Sequence, residues 1–356
     1  MRVAKHQIAK VVSKWMEGSG PQGDIVLTSR VRLARNLKGV PFPHLLREEQ
    51  KREVVQRVFQ AASAPAVTKV FGAMEIFYLD ELTPLQKQIL VEKHLISPTL
   101  AESQGGAVIL NADETVSIMV NEEDHLRIQI LMPAFQLEET WKAADRLDDA
   151  LEQQLDFAFH EEKGYLTACP TNLGTGLRAS VMIHLPALVL TNQAGKILGS
   201  LSQIGVAVRG FYGEGSEAQG NLYQISNQIT LGLTEEEIVN NLSLVVQQLI
   251  DQERAARERL KEEFYHQIDD KVNRAYGLLA HARSMSSEEA LRLLSDLRLG
   301  IDLGMITGVE PRILNEMISF IQPGLLQGSQ EKEMSPWERD LVRANVIRQK
   351  LLHQRR

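Results

Sequence analysis

Five short segments of this 356-residue chain carry side chains suited to phosphate and guanidinium chemistry. They read TSRVRLARN (28–36), NEEDHLR (121–127), CPTNLGTGLRAS (169–180), RGFYGEGSEA (209–218) and ISNQITLG (225–232). Among them are arginines at 30, 32, 127, 178 and 209, the acids Glu122, Glu123 and Glu214, and the chain's single cysteine, Cys169. Taken singly, each has a plain reading. Arg30 and Arg32 alternate as the solvated face of a strand would, NEED suits a polar turn, and a lone cysteine often serves as a small buried hydrophobe. Taken together, five arginines at or beside strand-like segments can converge on one end of a sheet. Arginine's rigid fork binds phosphate oxygens in pairs and keeps its proton. No G-x-x-x-x-G-K-[ST] occurs, so a phosphate site here would be an arginine clamp rather than a P-loop. Cys169 precedes a proline and a Gly-Thr-Gly turn of phosphate size that leads into Arg178.

The surrounding elements mix sheet and helix. Helical spacing covers 44–62 and 84–96, the second after a Thr83-Pro84 start signal. AVILN, TVSIMV and LRIQILM between 107 and 132 read as an antiparallel meander, followed by a helical pattern over 136–160. GYLTACP, GVAVRGF and NLYQISNQITL are strand-like, and GKILGSLSQI is helical. Without regular βαβ alternation, the expected class is α+β, an antiparallel sheet flanked by helices. From Thr234 the texture changes. Thr234-x-x-Glu237 is a capping box, helical periodicity then runs to about 283, and new helices start at Ser286-x-x-Glu289 and Ser335-Pro336-x-Glu338. The stretch 323–336, PGLLQGSQEKEMSP, reads as a loop. The expected organisation is a catalytic domain over 1–256 and an all-α domain over 257–356, divided within DQERAARERLKEE. The apolar residues of LSDLRLGIDLGMI and ILNEMISFI suit either a dimer interface or that domain's own core.

Composition narrows the function classes. A net charge of −7 argues against a general nucleic-acid binder, which needs a basic face. One cysteine excludes an intrachain disulfide and a multi-cysteine zinc site, and no protein-held metal is expected. The N-terminus lacks the apolar core of a signal peptide and no run reaches the length of a membrane span, so a cytoplasmic location is expected.

TSRVR, NEEDH and CPTNLGT together resemble the signatures of the phosphagen (guanidino) kinases, over about residues 20–255. The resemblance implies the family's antiparallel catalytic domain and ATP, with Mg²⁺ carried on the nucleotide. It implies a nucleotide site made of Thr28, Ser29, Arg30, Val31 and Arg32, of Arg127, of Arg178, Ala179, Ser180, Val181 and Met182, and of Arg209, Gly210, Phe211, Tyr212, Gly213 and Glu214. His94 in VEKHLISP matches a histidine of that site. Glu123 and Glu214 fall where the family keeps two carboxylates, with Glu122 in support. The chemistry agrees, because a guanidinium is a poor nucleophile until it loses a proton and a carboxylate aimed at it orients it and accepts that proton. A Cys169 thiolate among cations would hold the reacting nitrogen.

The family's small-molecule enzymes carry a helical lid domain ahead of this region. Only 27 residues precede Thr28 here, so the expectation is an open site without that lid. With the helical C-terminal part, the organisation resembles the family's bacterial protein-arginine kinases. That resemblance implies a homodimer or higher oligomer, protein substrates with exposed arginine, and an activator and a repressor called McsA and CtsR. It also implies a phosphoarginine mark read by the Clp protease in stress-response control. RDLVRA (339–344) puts Arg339 and Arg343 four residues apart beside Asp340 and Ala344. Its plain reading is a solvated helix end, whereas the resemblance implies a regulatory phosphoarginine pocket. The leading expectation is an ATP-dependent protein arginine kinase. The alternatives are a small-molecule guanidino (arginine) kinase and a phosphoarginine-binding adaptor with a vestigial kinase site.

Overall fold

Alternation along VLTSRVRLAR makes a strand with one polar and one apolar side, and the sheet is built around it. The computed structural model describes Ile8 and residues 12–210, 219–330 and 332–352. Ten strands are present among them: β1 (Val26–Arg35), β2 (Met74–Tyr78), β3 (Ala107–Asn111), β4 (Val116–Val120), β5 (Leu126–Pro133), β6 (Phe159–His160), β7 (Gly164–Tyr165), β8 (Leu177–His184), β9 (Val206–Arg209) and β10 (Leu222–Asn227). Eight form one antiparallel sheet in the order β2-β3-β4-β5-β1-β8-β10-β9, and β6 pairs β7.

Register decides which side each residue serves. Arg32 lies opposite Arg178 on one neighbour and Gln129 on the other, Ala34 opposite Arg127, and Gln224 opposite Arg209 and Met182. With a side-chain period of two, these positions share one face. The intervening Val31, Leu33, Ile128, Ile130, Leu177, Ala179 and Val181 form the other face and are almost wholly buried.

Helices cover that apolar face and part of the arginine face. In chain order they are α1 (Glu48–Ala62), α2 (Pro65–Phe71), α3 (Pro84–Glu92), α4 (Pro98–Glu102), α5 (Leu137–Glu152), α6 (Pro186–Leu190), α7 (Ala194–Leu201) and α8 (Glu235–Glu263). Then follow α9 (Tyr265–His281), α10 (Ser287–Asp302), α11 (Pro311–Phe320), α12 (Pro323–Gln330) and α13 (Pro336–Leu352). Ala144, Leu147 and Leu151 of α5 and Val246, Leu249 and Ile250 of α8 share the main core with the sheet. A second core lies on the arginine side, where Ile89 and Leu90 of α3 and Leu325 of α12 meet Val108, Leu110 and Leu131.

The meander, the α+β architecture and the caps at Thr234 and Ser286 match the sequence reading. Other elements differ. The helix expected over 84–96 ends at Glu92, and His94 takes a left-handed φ of 58°. The helix expected over 136–160 ends at Glu152, while buried Leu155 and Phe157 keep the apolar spacing going in non-helical backbone. GYLTACP supplies only the two residues of β7, and the helical run from 234 breaks at Phe264. The loop expected over 323–336 is largely α12, in which Pro323 takes a first-turn position that needs no N–H donor. Residues 251–263, where the sequence suggested a boundary, are the continuous second half of α8. The apolar residues Leu294, Leu297, Leu299, Leu303, Leu314 and Met317 pack within the chain's own core.

His184 at the end of β8 ties the sheet to α10, its Nε2 lying 2.8 Å from Ser295 Oγ. Burial, then the charges of Arg257 and Arg298, hold its pKa well below the usual 6.5. The unfolded chain takes up a proton there below about pH 6.5 and the folded ring does not, so stability present above that pH is lost as pH falls. Between pH 7.5 and 5.5 the native protein is expected to lose about 1.4 kcal/mol that His184→Gln keeps. Urea unfolding of both proteins at both pH values checks this, and equal losses would contradict it.

Candidate active site

The polar face of the sheet is open over β1, β8 and β10, and a cleft of about 480 Å³ lies there. Arg30, Arg32, His94, Glu122, Glu123, Arg127, Cys169, Arg178 and Arg209 all line it. The five arginines, from Arg30 to Arg209, thus meet because the register puts them on one face.

Arg30 and Arg32 face the cleft with no acidic partner among the described residues. Arg30 donates to Ser180 Oγ at 3.3 Å and Gln224 Oε1 at 2.7 Å, both neutral. Burial, then repulsion from Arg127, Arg209 and Arg178, pushes its pKa down to about 10. Arg32 is pushed well below its usual value in the same direction, by burial and then by Arg30, Arg127 and Arg178. Its Nε and Nη2 are buried with no hydrogen-bond partner among the described residues. Buried donors without acceptors cost roughly 1–3 kcal/mol each, so the cluster is built for an anion. Arg127 has a carboxylate at hand, with Nη1 2.7 Å from Glu122 Oε2. Ser97 Oγ donates to the other Glu122 oxygen at 2.7 Å, so this acid is fixed while its neighbour Glu123 stands exposed at the cleft with no hydrogen bond among the described residues.

His94 enters from the end of α3. The preceding Lys93 is fully buried, with Nζ 2.6 Å from Glu114 Oε1 and 3.0 Å from Ile8 O. Trp15 Nε1 donates to Lys93 O at 3.3 Å, and its ring lies 5.7 Å from the imidazole. Gln129 Nε2 donates to His94 O at 2.8 Å. Burial, then Arg30 and Arg32, pushes the His94 pKa down to about 3, so the ring is neutral at physiological pH. A neutral aromatic ring beside an arginine cluster suits the base or sugar of a nucleotide rather than its phosphates.

Cys169 is placed by a second buried network. Asp124 Oδ1 accepts from Asn36 Nδ2 at 2.6 Å and from the Ala168 N–H at 2.7 Å. Asn36 Oδ1 accepts the His125 N–H at 2.9 Å. These bonds tie NEEDH, the end of β1 and the cysteine loop together, so Glu123 and Cys169 flank one cleft. Sγ lies 3.0 Å from Thr171 Oγ1. Sequence reasoning passed over Asn36, Lys93, Glu114 and Asp124, whose roles are fixed by partners distant in sequence; the one local signal was Asp124's place inside NEEDH.

Several expected positions serve differently. Val31, Ala179 and Val181 turn into the core, because alternate strand residues face opposite sides. Thr28 and Ser29 bond backbone carbonyls of Met132 and Ala134, Met182 packs on Leu27 and Leu222, and Ser180 and Gly210 are buried beside the arginines. Gly174 and Gly176 form no phosphate cradle. A Cβ on Gly174 would lie 2.4 Å from Thr230 O, and one on Gly176 2.6 Å from Ala34 O, so both glycines permit close backbone packing. Phe211, Tyr212, Gly213 and Glu214 lie outside the described residues. In RDLVRA, Ala344 is in the core and Arg343 is buried, donating to Ile321 O and Met285 O at 2.8 Å and paired with Asp340. Arg339 is half-buried. Among the described residues no group of three His, Cys, Asp or Glu could hold a metal ion, and no helix is long and apolar enough to cross a membrane.

Comparison with known proteins places this geometry in context. Residues 53–256 match the ATP:guanido phosphotransferase C-terminal catalytic domain, and residues 265–356 match the protein-arginine kinase McsB C-terminal domain. The first match begins after β1, so Arg30 and Arg32 join the site through the sheet register. The chain is 61% identical over 340 residues to a protein-arginine kinase of Moorella thermoacetica, covering 95% of this chain and 97% of that one. It is 53% identical over 348 residues to a protein-arginine kinase of Desulforamulus reducens, covering 98% of each. A crystal structure of lombricine kinase aligns with a TM-score of 0.59 at 27% identity over 70% of each chain.

The unpaired Arg32 donors lead to a test of the cleft itself. Arg32→Met, similar in length and uncharged, is expected to stabilise the ligand-free protein by about 1–3 kcal/mol. It should also shrink the rise in melting temperature that inorganic triphosphate gives the native protein. Calorimetry with and without triphosphate measures both; an undiminished triphosphate shift in the variant would contradict the clamp.

Proposed function

The chain belongs to the ATP:guanido phosphotransferase family, and from that membership we propose that it is a protein-arginine kinase, moving the γ-phosphoryl of MgATP onto arginine side chains of proteins. The observation that carries this reading is one cleft with five arginines on its floor and the Glu123–Cys169 pair at its wall. A triphosphate needs the first and a guanidinium needs the second. The high identity to protein-arginine kinases of two bacteria supports protein-borne arginine as the acceptor.

In this reading Arg30, Arg32, Arg127, Arg178 and Arg209 hold the phosphates and spread the charge that grows on the γ-phosphoryl oxygens. The unpaired Arg32 donors fit that anion, and Mg²⁺ arrives on the phosphates, adding its charge to theirs. Neutral His94 lies beside the base or sugar. Glu123 orients the acceptor guanidinium and takes the proton it sheds as the nitrogen–phosphorus bond forms and the bond from γ-phosphorus to the bridging oxygen breaks. Glu214 is the second carboxylate in this reading. Cys169 Sγ contacts the guanidinium nitrogen, and Asp124 and Asn36 keep its loop beside Glu123.

The reading extends to the setting. A cytoplasmic enzyme, assembled as a homodimer or larger oligomer and working with McsA, CtsR and the Clp protease in stress response, is what the relationship to protein-arginine kinases suggests. Phosphoarginine recognition at RDLVRA would use half-buried Arg339 directly and would require Asp340 to exchange Arg343 for the ligand's guanidinium.

Incubation with MgATP and a protein substrate should yield acid-labile phosphoarginine, read by mass spectrometry at neutral pH. Glu123→Gln is expected to lower turnover by about 10²–10⁴-fold with ADP affinity nearly unchanged, and Cys169→Ser to lower it sharply. Acid-stable phosphoserine as the main product would overturn the proposal, and faster phosphorylation of free arginine than of protein would redirect it to a small-molecule acceptor.

A further inference from the structure

Glu92, the last residue of α3, lies outside the cleft and is almost fully buried. Its two carboxylate oxygens accept the first available N–H groups of α12, Oε1 from Gly324 and Oε2 from Leu325, both at 2.8 Å. Gln88 Nε2 donates to the same Oε1 at 2.9 Å. One carboxylate thus ends α3 and starts α12, where it meets the positive end of the helix. The charge of Arg339 on α13 also favours the Glu92 carboxylate, and Arg343 holds Ile321 O just ahead of α12.

Gly324 marks the closeness of this contact. It has no left-handed φ, and alanine is otherwise preferred in a helix by up to about 1 kcal/mol. An added Cβ, however, would lie 2.8 Å from Glu92 Oε2 and 3.0 Å from Gln88 Cγ. The glycine is what lets the carboxylate reach the helix end.

Immediately past Glu92 the chain turns through buried Lys93 into His94, which lines the cleft at a left-handed φ. Nothing at this corner is loose. Lys93 is pinned by Glu114 and Ile8 O, His94 O by Gln129, and Glu92 by α12. A shift at any of the three residues moves the imidazole. We propose that Glu92 is a positioning residue of the nucleotide site: its clamp on Gly324 and Leu325 of the C-terminal helices fixes the end of α3 and so the place of His94 in the cleft. The inference rests on the reading of that cleft as the nucleotide site. It makes the C-terminal helices part of what shapes nucleotide affinity, through a contact that touches neither phosphates nor acceptor.

The test is a double-mutant cycle on the full chain, read by ADP binding in a calorimeter and by steady-state kinetics. Glu92→Gln keeps the shape but presents an amide nitrogen to one N–H, and Gly324→Ala pushes the clamp apart from its other side. Each is expected to weaken ADP binding about three- to tenfold, with most of the kinetic loss in KM for ATP rather than in kcat. The double variant should be little worse than either single one, because both break one contact. A merely structural role would lower the active fraction, and so kcat, while leaving KM and the ADP affinity of the folded protein unchanged; that result would overturn the proposal. Fully additive effects would overturn it as well. No ADP binding by the native protein would remove the reading of the cleft, and this proposal with it.

Discussion

Concentrated positive charge on one face of one sheet is the constraint around which this chain is arranged. Five guanidinium groups project from β1, β5, β8 and β9 into the same cleft. Burial, and then the charges of the neighbouring arginines, disfavours the protonated forms of Arg30 and Arg32. The stabilisation that offsets this comes from the opposite face, where every second residue of the same strands is apolar and buried under α5 and α8. The two demands lock each other. A slip of one residue would drive Arg30 and Arg32 into the core and bring Val31 and Leu33 out. Arg35 shows the contrast within β1. It falls on the core side, and there it is fully answered: Asp148 of α5 pairs with it at 2.6 Å, Ala34 O and Thr175 O accept from Nη1, and the Tyr165 ring covers it at 3.4 Å. Arg35 on the apolar face is neutralised by the protein, whereas Arg32 on the cleft face keeps buried donors for a ligand.

What the sequence made legible follows the range of the forces involved. Local signals were readable: the capping box at Thr234, the N-cap at Ser286, the three-strand meander from 107 to 133, and the alternation of TSRVR. The convergence of the arginines was readable only through the family's motifs, because nothing local tells Arg178 that it will lie beside Arg32. The long-range polar pairs were not readable at all. Lys93 with Glu114, Asn36 with Asp124, and Glu92 with the start of α12 join residues 21, 88 and 232 positions apart, and each partner alone looks like a surface polar residue. The reading of 323–336 as a loop failed for a related reason. Pro-Gly is a turn signal in isolation, but the glycine is there for Glu92 and the proline for the first turn of a helix.

Those pairs also explain how loops hold a precise site. His94, Glu123 and Cys169 line the cleft from turns, where backbone conformation alone would leave them free to move. Each turn is nailed by a buried carboxylate within a residue or two of the functional side chain. Glu92 and Glu114 flank the His94 corner, and Asp124 joins the Glu123 turn to the Cys169 loop. The carboxylates are buried at a desolvation cost, visible in the raised pKa of Glu92 and Asp124. They repay it by satisfying backbone N–H groups that no helix or strand ladder could reach.

This division leaves the titration of the cleft simple. His94 is held near 3 and Arg30 near 10, both by burial first and neighbouring arginines second. Between about pH 5 and 8 neither group changes charge, since each lies about two units outside that window. The histidine is kept neutral by the same cluster that demands an anion, so it adds shape to the site without adding to the repulsion. Had it titrated near its usual 6.5, every fall in pH would have put a further positive charge against Arg30 and Arg32. His94 therefore adds no charge to a cleft whose electrostatics come from its arginines and from Glu122 and Glu123, and it is released to act as a ring.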